Sequence, residues 1–144
     1  METLSGVTSQ VTAAAQKIAP AGSEDDASRR MRRCIDNCRD CEQICLTTIT
    51  HCLSKGGHHA RPDHILALMN CANICATAAR FMITFSRLHI HICGACAAVC
   101  EACADDCEGV MGAEAEDKTM AECVDMCRAC AKSCSEMATP MKSC

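Results

Sequence analysis

The fold is decided by residues 34–52, which read CIDNCRDCEQICLTTITHC. The five cysteines of this stretch are separated by steps of 4, 3, 4 and 7 residues. Steps of three and four place side chains on one face of an α-helix, whereas a β-strand would show a period of two. The charged residues Asp36, Arg39, Asp40 and Glu42 occupy the other faces. The stretch therefore predicts a helix that buries a row of thiols.

The same spacing recurs in three further segments. Residues 93–107 read CGACAAVCEACADDC and residues 123–134 read CVDMCRACAKSC, while Cys71 and Cys75 are about one helical turn apart. Sixteen of the seventeen cysteines fall on these four stripes, and Cys144 is the exception. Four helices that each bury a thiol stripe predict an all-α fold, an antiparallel four-helix bundle with a cysteine-lined core.

Breakers and capping residues give the limits of the helices. Ser23 begins a sequence typical of a capping box, Gly56-Gly57 stops the first helix, and Pro62 suits the first turn of the second. A turn is expected near residues 86–90, because one helix from 62 to 109 would be about 70 Å long. The predicted helices cover about 24–54, 62–86, 88–109 and 115–138, within a bundle domain of 23–144.

Residues 1–22 precede the bundle. Pro20-Ala21-Gly22 separates them from the first long helix. Apolar side chains recur in this segment at helical spacing, so we expect a short accessory helix or a tail. Those near one face are Leu4, Val7, Val11, Ala14, Ala15 and Ile18.

The composition excludes an ordinary hydrophobic core and several classes of function. Leu, Ile, Val and Phe make up only 22 of 144 residues, so Cys, Ala and Met must fill the interior. A net charge of −4 and the absence of a basic stripe with aromatics argue against nucleic-acid binding. No run of about 20 apolar residues predicts a membrane span, and residues 1–20 lack a secretory leader pattern. We therefore expect a cytoplasmic protein that does not enter membranes.

The thiols point to soft-metal chemistry. Cytoplasmic thiols stay reduced, so a dense cysteine pattern indicates metal or redox chemistry before disulfides. Thiolates select Cu(I), Zn(II) or iron–sulfur clusters, but zinc prefers isolated tetrahedra and clusters are wrapped by loops. A straight helical row suits Cu(I), which accepts two or three sulfurs. Bridging thiolates would balance the charge at about one Cu(I) per cysteine, so many ions could be buried.

The candidate metal ligands follow from the stripes. His64 and His89 continue the second stripe and are candidate imidazole ligands, with His89 one turn before Cys93. We expect the metal to load at the His89 end, where Met82 and Phe85 would plug the tube. The candidate thiol ligands are Cys34, Cys38, Cys41, Cys45, Cys52, Cys71, Cys75, Cys93, Cys96, Cys100, Cys103, Cys107, Cys123, Cys127, Cys130 and Cys134.

The remaining histidines and the alternative functions are weighed on the same grounds. We expect His51, His58 and His59 to be solvated. A zinc or mixed soft-metal detoxification protein is the nearest alternative. A thiol redox or electron-transfer protein is another, but no cysteine lies in the basic or helix-N-terminal setting that activates a thiol. We therefore predict no catalytic residues and expect that the protein is not an enzyme.

On these stripes the chain resembles the bacterial copper storage proteins, which are four-helix bundles whose cysteine-lined cores bind many Cu(I) ions. The resemblance rests on Cys34–Cys52, Cys71 with Cys75, Cys93–Cys107 and Cys123–Cys134, and it covers about residues 24–138. It implies storage of multiple Cu(I) ions, a homotetramer and the cytosolic type of the family. Copper-delivering or copper-accepting proteins are then candidate partners.

Overall fold

A computed structural model describes residues 24–113 and 116–139. The described chain folds into four α-helices, and a short 3-10 turn at Gly57–Ala60 joins the first two. No strand occurs in these two ranges. The predicted all-α bundle is therefore confirmed, whereas the predicted tail of residues 1–22 lies outside the described ranges. The helices are α1 (Asp26–Lys55), α2 (Pro62–Ile83), α3 (His89–Met111) and α4 (Lys118–Ala138).

Local sequence chemistry explains where the helices begin and end. The Asp25 carboxylate caps α1 by accepting a hydrogen bond from the Ser28 amide at 2.8 Å. The N-cap is therefore Asp25, whereas the sequence predicted a capping box that begins at Ser23. Pro62 is the first residue of α2, a position that needs no amide donor. Gly56 and Gly112 follow α1 and α3 with φ of 75° and 52°, a left-handed region that favours glycine.

The helices form a square in which each packs against two neighbours. Helix α1 contacts α2 and α4, and α3 contacts the same two helices, so α1 and α3 lie on a diagonal. Two ends result from this antiparallel arrangement. The His64 end holds Cys52 and His64, and the His89 end holds Cys34 and Cys93. This topology brings the four thiol stripes to one axis.

Cysteine and other small or flexible residues fill the core, as the composition predicts. All sixteen stripe cysteines are at most 1% exposed, and Leu68, Met82 and Met120 are completely buried among them. Thr48 occupies the stripe position between Cys45 and Cys52, and its hydroxyl donates to the Ile44 carbonyl at 2.7 Å. A protonated thiol packs as a small hydrophobe, so this core can close without metal.

The turn between α2 and α3 differs from the prediction. Helix α2 ends at Ile83 rather than residue 86, and residues 84–88 form the turn. The predicted plug is half right: Met82 is buried, but Phe85 is 78% exposed. The prediction placed Phe85 within the second helix, facing the core. In the structure the helix has already ended, and Phe85 has a φ of 55°.

Helix α2 is long and apolar enough, by length and composition, to cross a membrane. Its Leu68, Cys71, Cys75 and Met82 are nevertheless completely buried against the other helices. Burial of these side chains accounts for part of the apolar character of α2, whereas Leu66, Met69 and Ile83 of the same helix are exposed.

Candidate metal centre

The thiols form a continuous row along the bundle axis. At the His89 end, Cys134 Sγ lies 3.6 Å from Cys34 Sγ and 3.4 Å from Cys38 Sγ. In the middle, Cys75 Sγ lies 3.6 Å from Cys100 Sγ and 3.8 Å from Cys130 Sγ. Further along, Cys127 Sγ is 3.8 Å from Cys41 Sγ and 3.9 Å from Cys45 Sγ. Each helix contributes sulfur to this row, so the ligands of one ion would come from several helices.

Several sulfurs belong to more than one potential site. Four groups of four sulfur atoms lie within 4.8 Å of one another. Cys41 and Cys71 are shared by two groups, and so are Cys75 and Cys100. Shared sulfurs favour bridging thiolates over isolated tetrahedra. The groups are Cys38/Cys96/Cys130/Cys134, Cys41/Cys71/Cys75/Cys100, Cys41/Cys45/Cys71/Cys127 and Cys75/Cys96/Cys100/Cys130.

Hydrogen bonding and burial raise the pKa of several core thiols. Hydrogen bonding with Cys100 and burial raise the pKa of the Cys75 thiol, and hydrogen bonding with Cys134 and burial raise that of Cys93. Burial, followed by the charge of Asp117, raises the pKa of Cys52 to about 11. A soft cation must therefore displace protons as it binds. The thiols whose pKa is raised stay neutral in the metal-free core, which avoids the cost of burying their charge.

Cys52 has a different environment from the central thiols. Its Sγ lies 3.3 Å from His64 Nε2, 3.5 Å from Met120 Sδ and 3.8 Å from His59 Nδ1. Thiolate, thioether and imidazole are all donors for Cu(I). The structure thus brings a mixed set of donors together at the His64 end, next to the all-thiol row.

His64 is oriented by a carboxylate. Its Nδ1 lies 2.6 Å from Asp106 Oδ2, while the ring is 1% exposed. In the tautomer whose Nδ1 donates to Asp106, Nε2 is the acceptor that faces Cys52, which is the arrangement that a metal-binding histidine needs. A surface cleft of about 340 Å³, lined by His58, His64 and Asp106 among others, opens beside this pair.

Asp117 fixes the start of α4 next to Cys52. Its carboxylate accepts from the Met120 amide at 3.1 Å, and it lies 2.9 Å from His51 Nε2 and 3.0 Å from Lys55 Nζ. Burial opposes ionisation, but the contacts with His51 and Lys55 prevail and hold the pKa of Asp117 below 3.8. This ion pair joins the end of α1 to the start of α4 and positions Met120 at Cys52.

At the opposite end, His89 lies farther from its cysteine than His64 does. His89 is half-buried, and its Nδ1 lies 3.8 Å from Cys93 Sγ. Cys93 itself is completely buried. The structure thus places both sequence-predicted histidines beside a stripe cysteine, but His64 is closer to its sulfur and held by a second partner.

Three residues of the His64 end were missed or misjudged from sequence. His59 was expected to be solvated but is 5% exposed, because the 3-10 turn folds back over Cys52. Met120 and Asp106 are not among the candidate ligands predicted from the sequence. The sequence does not single out Asp106, because Asp40 likewise directly precedes a stripe cysteine, Cys41, and is exposed. His58 is exposed as expected, and His51 is half-buried.

Comparison with known proteins gives the family. The sequence matches the family described as copper storage protein over residues 27–139. The chain belongs to the copper storage protein family. Among solved structures it is similar to the Nmul_A1745 protein of Nitrosospira multiformis, with 43% identity, a TM-score of 0.69, and coverage of 76% of this chain and 95% of that one.

Two further similar structures carry copper. The Cu(I)-bound copper storage protein BsCsp3 of Bacillus subtilis shares 33% identity over 76% of this chain and 99% of its own, with a TM-score of 0.68. A cytosolic copper storage protein of Streptomyces lividans, described with five coppers, shares 28% identity over 76% of this chain and 92% of its own, with a TM-score of 0.65.

A curated relative matches over a shorter length. The cysteine-rich protein YhjQ of Bacillus subtilis, itself uncharacterized, is 37% identical over 66 residues. This match covers 46% of the present chain and 61% of the relative, so the chain spans less than two thirds of that protein.

Proposed function

We propose that this protein stores many Cu(I) ions in the cytoplasm by binding them to the sixteen stripe cysteines, and that it catalyses no reaction. The observation that carries the proposal is the continuous row of buried thiols in which sulfurs are shared between four-sulfur groups. The family and the copper-bound relatives support copper as the cargo.

The shared sulfurs favour Cu(I) over zinc. If each thiolate bridges two Cu(I) ions and each ion takes two thiolates, the array is neutral and can be buried. Zinc would instead occupy separate four-sulfur groups, and Cys38/Cys96/Cys130/Cys134 and Cys41/Cys45/Cys71/Cys127 have no member in common. Each such zinc site would carry a charge of −2 in the core, which is costly. The zinc alternative thus predicts a capacity near two ions in these groups.

The mixed cluster of Cys52, His64 and Met120 adds a terminal site at the His64 end. His64 is proposed as a ligand through Nε2, and His89 as a weaker one beside Cys93. The sequence favours loading at the His89 end, whereas the cleft beside His64 and Asp106 makes the opposite end a second candidate. Copper-delivering and copper-accepting proteins would exchange metal at whichever end is open.

A homotetramer is proposed on the basis of an apolar surface. Leu46 and Leu53 are seven residues apart on α1, and Leu66 and Met69 are three apart on the neighbouring α2. All four side chains are exposed. Burying such surfaces between copies would stabilise an oligomer. Light scattering on the metal-free protein tests this proposal, and replacing Leu53 and Leu66 with Glu should yield smaller species.

The deciding experiment is an anaerobic titration of the reduced protein with Cu(I) and, separately, with Zn(II). The thiolate-to-metal absorbance in the ultraviolet is unobscured because the chain has no Trp or Tyr. We expect saturation at about one Cu(I) per core cysteine. The variant Cys144→Ala is the matched control, since this cysteine is outside the stripes, and its capacity should be unchanged. Saturation at four or fewer Cu(I) ions would contradict the proposal.

A further inference from the structure

The thiol stripes of α1 and α2 both contain a gap near the His64 end. On α1 no cysteine lies between Cys45 and Cys52, and on α2 none lies between His64 and Cys71. Each gap corresponds to about 10 Å of helix axis. Neighbouring sulfurs of the row approach one another to 3.4–4.0 Å. Two of the four helices therefore interrupt the row of thiols at this point.

Thr48 and Leu68 fill the two gaps, and neither offers a ligand to Cu(I). Thr48 is one helical turn before Cys52, which contacts His64 at 3.3 Å. Leu68 is one turn after that histidine, so the two side chains lie at the same level of the antiparallel helix pair. Both are completely buried. The Thr48 hydroxyl is a hard donor that already binds the Ile44 carbonyl, and the Leu68 side chain is a hydrocarbon.

The other two helices carry thiols across this level. Cys107 of α3 interacts with Cys103 of the row and with Cys123 of α4. Cys123 also interacts with Cys45, at the near end of the row. Burial, the charge of a nearby carboxylate and the charge of Cys123 raise the pKa of Cys52 to about 11, so Cys123 is near Cys52 as well. In the part of the chain that the structure describes, Cys107 and Cys123 connect the row with Cys52, and we call them the thiol bridge.

The chemistry of Cu(I) makes the thiol bridge the passage between the two parts of the core. A buried ion moves by exchanging one thiolate for the next, because a bare cation in the core would be very costly. On the side of α1 and α2, a step of about 10 Å past Thr48 and Leu68 would leave the ion without a soft ligand. On the side of α3 and α4, the ion keeps a sulfur ligand at every step.

We propose that Thr48 and Leu68 separate the site at Cys52 from the rest of the row, and that Cu(I) crosses between them by ligand exchange on the thiol bridge. The proposal rests on the proposed function, since Cu(I) is the ion that moves. In each step one Cu–S bond forms and another breaks, and the proton of the new ligand passes to the thiolate that is released. No electron is transferred. Ions of the row would then be exchanged at the His64 end only as fast as the thiol bridge passes them.

The first test adds a thiol to the separating layer. Thr48→Cys places a sulfur one turn from Cys52 and closes the gap on α1, whereas Thr47→Cys adds an exposed thiol beside it and is the matched control. In half-loaded, anaerobic protein with ¹⁵N-labelled histidine, the NMR signal of His64 Nε2 reports copper at the terminal site. We expect this signal to settle about tenfold faster or more in Thr48→Cys than in the control or the unmodified protein.

The second test removes the thiol bridge. Cys107→Ser with Cys123→Ser keeps the size of both side chains, and Cys34→Ser with Cys93→Ser removes two thiols at the opposite end as the control. The His64 signal is followed after the ultraviolet absorbance shows that copper uptake is complete, and circular dichroism verifies folding. We expect the signal to settle about tenfold more slowly or more in the bridge variant only.

The outcomes separate this proposal from the storage function. Equal settling rates in all the proteins would overturn it, because copper would then reach His64 without the thiol bridge. A His64 signal that never responds to Cu(I) would overturn it as well, since no terminal site would exist. If the bridge variant does not fold, Thr48→Cys alone decides. Saturation of the unmodified protein at four or fewer Cu(I) ions would instead refute storage itself.

Discussion

The carboxylate of Asp106 should control the affinity of one copper site without touching the metal. It lies 2.6 Å from His64 Nδ1, and His64 Nε2 lies 3.3 Å from Cys52 Sγ. Asp106→Asn keeps the size of the side chain but removes the charge that orients and polarises the ring. Loss of such a partner weakens metal binding about 10- to 100-fold, or roughly 1.4–2.7 kcal/mol.

The effect should be confined to about one ion per chain. The central thiols are held by other cysteines rather than by His64, so their affinity does not depend on Asp106. The assay is competition for Cu(I) between the protein and a chromophoric chelator under anaerobic conditions. The total capacity should remain as in the unmodified protein. One Cu(I) ion per chain should pass to the chelator at a lower chelator concentration than in the unmodified protein.

The neighbouring Asp105 provides the control. Its carboxylate is exposed and lies 2.8 Å from Arg128 on the surface, so Asp105→Asn removes a carboxylate without affecting His64. Its copper affinity should equal that of the unmodified protein. If Asp106→Asn retains every ion at the original affinity, or weakens all of them equally, the role assigned to the His64–Asp106 pair is refuted.

Four further predictions follow from named contacts. Cys41→Ala removes a sulfur shared by two four-sulfur groups, so titration should show a capacity lower by about one Cu(I). His89→Ala should slow early copper loading in stopped-flow experiments while total capacity stays nearly constant; an effect with His64→Ala alone would place the entrance at the other end. Asp117→Ala removes the α4 cap and the ion pair, and chemical denaturation should show a loss of about 1–3 kcal/mol. Burial raises the pKa of Cys52 from 9.0 to about 11, so in this pH range the folded chain keeps a proton that the unfolded chain loses. The Tm of the metal-free protein should therefore decrease as the pH is raised from 9.0 to about 11.

The cysteine core could be predicted because its signal is periodic and local. Steps of three and four place every stripe cysteine on one face, and all sixteen are at most 1% exposed. Few large apolar residues compete for the interior, so the inward face is unambiguous. The helix break at Gly56 likewise depends on adjacent residues.

The ends of the bundle could not be predicted in the same way. His59 contacts Cys52 only because the 3-10 turn reverses the chain, and Met120 only because the Asp117 ion pair joins α4 to α1. Such contacts depend on how helix ends meet in space, which periodicity does not encode. Phe85 shows the same limit, since one early helix end changed it from an expected plug to an exposed residue.

The placement of the thiols on helices, and not on loops, has a physical reason. A loop site folds around its metal and loses its structure when the metal leaves. Here the backbone hydrogen bonds are satisfied within the helices, and the thiols pack against one another at 3.4–4.0 Å without a metal. Filling and emptying then change the charge and the contacts of the core but not the course of the backbone. A container for many ions needs this property, because it must keep its shape at every degree of loading.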